Sequence, residues 1–97
     1  MGAIKREIDE KKILGENAEL LKLIAHPVRL QIVNELIHHK ICNVTKLIEI
    51  LRLPQSTVSQ HLLKLRGKVL RAERKGVEMY YFIENSKVCQ IIGILGL

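Results

Sequence analysis

Apolar residues recur every three or four positions through most of the chain and every second position in a short stretch around Tyr80. The first spacing is that of one helix face, the second that of a strand covered on one side. From Glu16, Leu20, Leu21 and Ile24 keep the helical period, with Asn17 placed as an N-cap and Ala25 closing the segment. His26-Pro27 breaks and restarts the chain, because proline favours the first turn of a helix and disfavours helix in the residue before it. A second helix is predicted over about 27–39, with Leu30, Val33, Leu36 and Ile37 inward. A third covers about 44–51 and buries Val44, Leu47, Ile48 and Leu51. Residues 1–14 mix charges with Ile4, Ile8, Ile13 and Leu14, as a short amphipathic helix or an arm would, so the domain proper is expected to span 15–97.

After a turn at Arg52-Leu53-Pro54, the helical period returns from Gln55 to Arg66 with an unusual division. With Val58 at zero and an advance of about 100° per residue, Leu62 falls at about 40° and Leu65 at about −20°. These three form the inward stripe. The other side carries Ser56, Thr57, Gln60 and Lys64, with Ser59 and His61 near its edges, and Leu63 as the one apolar exception. Gly67 suits a left-handed helix end. Two β segments follow, about 69–74 and 77–83, joined at Lys75-Gly76 as a hairpin. In the second, Val77, Met79, Tyr81 and Ile83 alternate with Glu78, Tyr80, Phe82 and Glu84. Residues 86–97 read as a last helix capped by Ser86 or Asn85, apolar on more than one side. The expected class is therefore mainly α with a small β-hairpin (α+β), in the order α-α-α-α-β-β-α.

Composition narrows the class without fixing it. Ninety-seven residues, 47% of them hydrophobic and 27% charged, fit one small soluble globular domain whose modest core favours oligomerisation. Residues 1–12 are dense in charge and lack the apolar centre of a signal peptide. The uncharged, mostly apolar run at residues 88–97 is too short for a membrane-spanning helix. Two cysteines, Cys42 and Cys89, make no disulfide framework, and a cytoplasmic location is the simpler expectation. Charge is more informative once located. Residues 52–76 hold seven bases and one acid, net +6, which is the whole chain's excess; the nine bases and nine acids elsewhere cancel. Such a patch attracts a polyanion, most commonly a nucleic-acid backbone.

Helix, helix, short helix, turn, helix, basic hairpin, helix is the order of a winged helix-turn-helix. A reading helix needs one apolar side to dock and short donors and acceptors on the other, because acids repel phosphate and long apolar groups cannot pair with base edges. Ser, Thr, Gln and His near a helix N-terminus fit the major groove of double-stranded DNA. Gln55, Ser56, Thr57, Gln60 and Lys64 are the candidates for base edges, with Ser59 and His61 beside them. Arg66, Lys68, Arg71, Arg74 and Lys75 suit phosphate contact or a hairpin tip at the minor groove. The chain's three aromatics, Tyr80, Tyr81 and Phe82, are consecutive and so split between two faces of a strand, which argues against a stacking platform for single strands. No arrangement of serine, cysteine or carboxylates points to catalysis, and there is no Gly-rich phosphate loop.

The segments "LLKLIAHPVRLQIVNEL", "LPQSTVSQHLLKLR" and "VEMYYFI" resemble the ArsR/SmtB family of bacterial repressors over roughly residues 17–95, the "STVSQHL" core being the most specific part. Within that family, "LPQSTVSQHL" and "RGKVL" are shared with the PagR-type regulators. The resemblance implies a homodimeric winged-helix repressor on a partly palindromic operator, with Gln55, Ser56, Thr57, Ser59, Gln60 and His61 at recognition-helix positions. Independently, the apolar helices at the two ends need covering, and Leu20, Leu21, Ile24, Val88, Ile91, Ile92 and Leu95 are the expected dimer contacts.

The switches found in many relatives do not carry over. Where metal-sensing relatives open the third helix with Cys-Val-Cys, this chain has Asn43, Val44 and Thr45; at the early positions of the other common metal site it has Asn85 and Lys87. His38, His39 and Cys42 make no convincing zinc fragment, since adjacent helical side chains point apart. No metal or other cofactor is expected, and no small-molecule inducer can be named. Thiol-sensing relatives keep a cysteine where Asn34 stands here. A thiol-responsive repressor using Cys42 and Cys89 is one alternative. A winged helix used for protein interaction, or as a nonspecific architectural module, is the other.

Overall fold

The computed structural model describes the backbone of residues 2–97 and the side chains of residues 9–97. It contains five helices and one three-stranded antiparallel sheet, in the order α1 (Gly2–Ile24), α2 (Pro27–His39), β1 (Cys42–Asn43), α3 (Val44–Leu51), α4 (Gln55–Leu65), β2 (Leu70–Lys75), β3 (Glu78–Ile83), α5 (Ser86–Leu95). Strand order in the sheet is β1-β3-β2. Among the described residues, no helix is long and apolar enough to cross a membrane.

α1 crosses the boundary expected near residues 14–15 without a break. Asn17 is therefore a mid-helix residue and not a cap; its Oδ1 accepts from Lys87 Nζ on α5 at 3.2 Å. Gly15 costs about 1 kcal/mol in such a position, a loss that good helix formers around it (Lys11, Lys12, Leu14, Glu16, Ala18) offset. Ile13 and Leu14 are exposed, while the side chains of Ile4 and Ile8 lie outside the described residues. The break at His26-Pro27 occurs as expected. His26 is extended (φ −152, ψ 134), and its Nδ1 accepts from Val28 N–H at 3.1 Å, capping α2 in the way a serine or asparagine would.

α2 buries Ile32, Val33 and Leu36, with Leu30 and Ile37 only half-buried. Ile32 was not among the residues expected inside. The helix ends in a γ-turn of the rarer, strained hand: Lys40 has φ 66 and ψ −45, and Ile41 N–H donates to the His39 carbonyl at 2.7 Å. That turn sends the chain into β1, which pairs with β3 through Cys42↔Tyr81 and Asn43↔Tyr80. β1 is an addition to the expected order, since two residues are too few to display a period of two.

α3 and α4 form the helix-turn-helix. Leu47 and Leu51 of α3 and Val58, Leu62 and Leu65 of α4 are buried, and Leu63 is 73% exposed, as the period demanded. Gly67 has φ +87, but α4 has already ended at an extended Arg66, and the Gly67 N–H donates to the Leu70 carbonyl at 2.8 Å instead. The hairpin pairs Leu70↔Ile83 through Lys75↔Glu78, which places its two-residue turn at Gly76-Val77, one position beyond expectation. Gly76 (φ +65) takes the one left-handed position of that turn. Val77 consequently leaves the expected inward set and stands at the tip, 94% exposed. Asn85 caps α5 by accepting from Lys87 N–H at 3.0 Å, and Gly96 (φ 77) ends the helix two residues before Leu97. One core joins all five helices to the sheet, from Leu20 and Ile24 through Leu36, Leu47, Leu62 and Tyr81 to Val88 and Ile92.

Candidate nucleic-acid interface

The outward face of α4 is built because Val58, Leu62 and Leu65 are committed to the core. Gln55, Ser56, Ser59, Gln60 and Lys64 are exposed, and Thr57 and His61 are half-buried at the edges. The N-cap position is Pro54, and no side chain caps the helix. Ser56 and Thr57 are thus not serving as caps, and the first turn of α4 offers its N–H groups outward, the arrangement that favours anions.

The wing packs on α3 and faces α4 across a groove. This groove of about 280 Å³ is lined by Asn43, Thr45 and Ile48 at α3, Gln55 and Ser59 of α4, and Val77, Glu78 and Met79 of the hairpin. Reading helix and wing tip therefore share one surface. Their relative position is fixed by residues that sequence reasoning did not select as functional. Asn43 Oδ1 accepts from Lys46 N–H at 2.8 Å, capping α3, while its Nδ2 donates to Glu78 Oε2 at 2.9 Å. Tyr80 Oη donates to the same oxygen at 3.1 Å, and Lys75 Nζ sits 5.4 Å from the centre of the Tyr80 ring. Only the capping half of this network was legible, in an asparagine preceding a helical run.

The expected bases do not form one cluster. Arg74 and Lys75 stand at the wing tip on opposite faces of β2, by strand alternation. Arg66 and Arg71 share a groove at the wing base with Glu84. Lys68 lines a different groove with Glu16 and Glu19 of α1. All five are exposed.

His61 is held. Its Nδ1 accepts from Arg29 Nε at 3.2 Å, its ring lies 4.5 Å from that of His26, and Arg29 Nη1 also donates to the Leu23 carbonyl at 3.1 Å. Burial, then the neighbouring His26 and Arg29, push the His61 pKa below its ordinary value.

The expected dimer contacts divide in two. Leu20, Ile24, Val88 and Ile92 are at most 6% exposed within one protomer, because the same faces of α1 and α5 that pack inward carry them. Leu21 and Leu95 are exposed and Ile91 is half-buried. Leu21, Ile91 and Ile94 line an apolar groove of about 320 Å³ between α1 and α5.

The candidate switch residues have other commitments. Asn43 spends both side-chain polar atoms on Lys46 and Glu78. His38 Nδ1 donates to the Asn34 carbonyl at 2.8 Å and His39 Nε2 faces Glu35 at 3.3 Å, so the two rings turn to separate partners. Cys42 and Cys89 are both free thiols, the first buried and the second exposed. Burial and then Glu35 raise the Cys42 pKa against an opposing Lys46, which disfavours its reactive thiolate.

Comparison with known proteins agrees with this geometry. The family model for bacterial regulatory proteins of the arsR family matches residues 26–68, from the cap of α2 to just past α4. The transcriptional repressor PagR of Bacillus anthracis is 63% identical over 82 residues, which is 84% of this chain and 83% of that protein. The transcriptional repressor SmtB of Mycobacterium tuberculosis is 39% identical over 84 residues, 84% of this chain and 61% of that protein. The crystal structure of PagR superposes with a TM-score of 0.83 at 61% identity, covering 88% of this chain and 98% of that one. With a matching helix-turn-helix, a matching wing and relatives that cover most of its length, the chain belongs to the arsR family of bacterial regulatory proteins: it is a DNA-binding transcriptional regulator of winged helix-turn-helix fold.

Proposed function

We propose that the chain is a dimeric, cytoplasmic transcriptional repressor that reads a partly palindromic operator with α4 in the major groove and the hairpin on flanking DNA. The observation that carries the reading is the outward row Gln55, Ser56, Ser59, Gln60 and Lys64, presented from a helix whose first turn no side chain caps. Glutamine pairs bidentately with adenine and serine with several edges, which supplies sequence preference. Thr57 supports the row from its edge. Arg66, Arg71, Arg74 and Lys75 supply phosphate attraction around it, while Lys68 shares its groove with Glu16 and Glu19 of α1. Repression follows from occupancy of a promoter by the bound dimer.

The dimer is supported by apolar surface left uncovered in one protomer. Leu14 and Leu21, seven residues apart on α1, share a side of that helix, and Ile91, Ile94 and Leu95 extend the surface on α5. A two-fold axis there sets the spacing of the two reading helices, and successive major grooves lie about 34–36 Å apart. The test is to sequence the DNA that the protein retains in cells. The expected product is a dyad motif whose half-sites are about one helical turn apart. Fragments with no common motif would instead favour nonspecific architectural binding or a protein-interaction module.

A further inference from the structure

The cluster formed by His26, Arg29 and His61 is not accounted for by DNA contact. It joins three elements at one point. Arg29, on the first turn of α2, donates through Nη1 to the Leu23 carbonyl of α1 and through Nε to His61 Nδ1 on α4. His26, between α1 and α2, caps α2 through its own Nδ1 and lies against the His61 ring with the two planes 49° apart. Both imidazoles therefore act as acceptors at Nδ1, which an imidazolium cannot do. We propose that Arg29 and His61 are positioning residues for the reading helix, and that the arrangement holds only while the His61 ring is neutral. The inference rests on α4 being the helix that reads DNA.

The neighbours that act on His61 are His26, in the connection before α2, and Arg29 of α2, and both disfavour its charged form. Lys64 follows one turn later on α4, and Lys22 lies in the last turn of α1. Among the described residues, no carboxylate pairs with His26, Arg29 or His61. A proton on His61 Nδ1 would point at the Arg29 Nε–H, replacing a hydrogen bond by a donor–donor clash beside like charge.

The sign is set by the folded-state shift. His61 lies below its ordinary 6.5, so its contribution is complete above that value and is lost as pH falls through the lowered pKa. Loss of the anchor lets α4 move against α1 and α2, which harms base-edge pairing. The added positive charge leaves phosphate attraction intact or stronger. Acid should therefore weaken specific binding and spare nonspecific binding. A histidine that touches phosphate directly predicts the reverse, tighter binding of every duplex in acid.

The experiment measures affinity between about pH 7.5 and about pH 5.5, across the range in which histidine titrates. One probe is a duplex that the protein itself selects from a random pool at the higher pH; the other is a scrambled duplex of equal composition. The expected result is a several-fold loss for the selected duplex, bounded by about tenfold for one group of ordinary histidine pKa, with no loss for the scrambled one. His61→Gln keeps an oxygen for Arg29 but cannot titrate, so whatever its absolute affinity, the ratio between the two pH values should flatten. A selected duplex bound more tightly in acid overturns the proposal, as does a His61→Gln profile equal to the parent's. Should His61→Gln not fold, nitrogen-15 spectra of the parent's imidazoles decide the matter. At the higher pH, His61 must carry its proton on Nε2, and a proton on Nδ1 overturns the proposal. Failure to separate selected from scrambled DNA at any pH would remove the reading of α4 itself and this inference with it.

Discussion

Two neighbouring leucines on α4 offer a matched pair for testing how the reading helix is docked. Leu62 is 1% exposed and belongs to the central core, whereas Leu63 points away from it and is largely exposed. Truncation of a buried leucine to alanine removes its transfer free energy and leaves a cavity, costing about 2–5 kcal/mol. A domain of this size has about 5–15 kcal/mol in total, so Leu62→Ala consumes a large share of it. At about 4–8 °C per kcal/mol, even the smallest loss lowers Tm by about 8–16 °C. Leu63→Ala removes the same atoms from a solvent-facing site and should stay within about 0.5 kcal/mol. Thermal unfolding of both variants and the parent, at one protein concentration so that self-association does not bias the comparison, gives the answer. Equal losses, or a larger loss for Leu63, would refute the argument. α4 would then be docked by a different face, and the outward polar row would not be outward.

Three further outcomes follow from the surface. Arg74→Ala should weaken binding to all DNA sequences and reduce the slope of log affinity against log salt by about 0.9 for each phosphate it no longer neutralises; titrations at several salt concentrations check it, and an unchanged slope would remove Arg74 from the interface. Ile94→Glu places a charge on the apolar groove between α1 and α5, so the monomer fraction in sedimentation should rise, and an unaltered dimer would move the two-fold axis elsewhere. Alkylation followed by mass spectrometry should modify Cys89 well before Cys42, with Cys42 reacting only as pH rises beyond the usual thiol range, because its folded pKa is raised and its thiolate forms late. Equal rates near neutral pH would restore a thiol switch as a serious alternative.

Local signals account for what could be read in advance. Proline and the helical period placed the start of α2 at Pro27, both ends of α3 and the start of α4, because each rests on neighbouring residues. The same holds for the polar face of α4 and for Leu63 standing out of pattern. What escaped depended on partners remote in sequence. β1 has two residues and exists only because β3 pairs with it. Asn43 meets Glu78 across 35 positions and Arg29 meets His61 across 32, spacings at which no periodicity operates. The apolar residues of α1 and α5 were visible, but hydropathy does not say which neighbour covers them. Leu20, Ile24, Val88 and Ile92 are covered within the protomer, whereas Leu21 and Leu95 are not. Val77 fitted the strand alternation and was displaced to the tip by the left-handed Gly76 beside it.

The central claim is that α4 reads base edges while the wing holds the backbone, and Gln60 separates these roles most directly. The decisive measurement is the base preference of Gln60→Ala, determined by selecting duplexes from a random pool in parallel with the parent and Arg74→Ala. The account predicts that Gln60→Ala loses discrimination at one position in each half-site, worth about 1–3 kcal/mol, and keeps the preferences elsewhere. Arg74→Ala should bind all duplexes less tightly with the motif unchanged. An unaltered motif for Gln60→Ala, or an altered one for Arg74→Ala alone, would contradict the assignment of reading to α4.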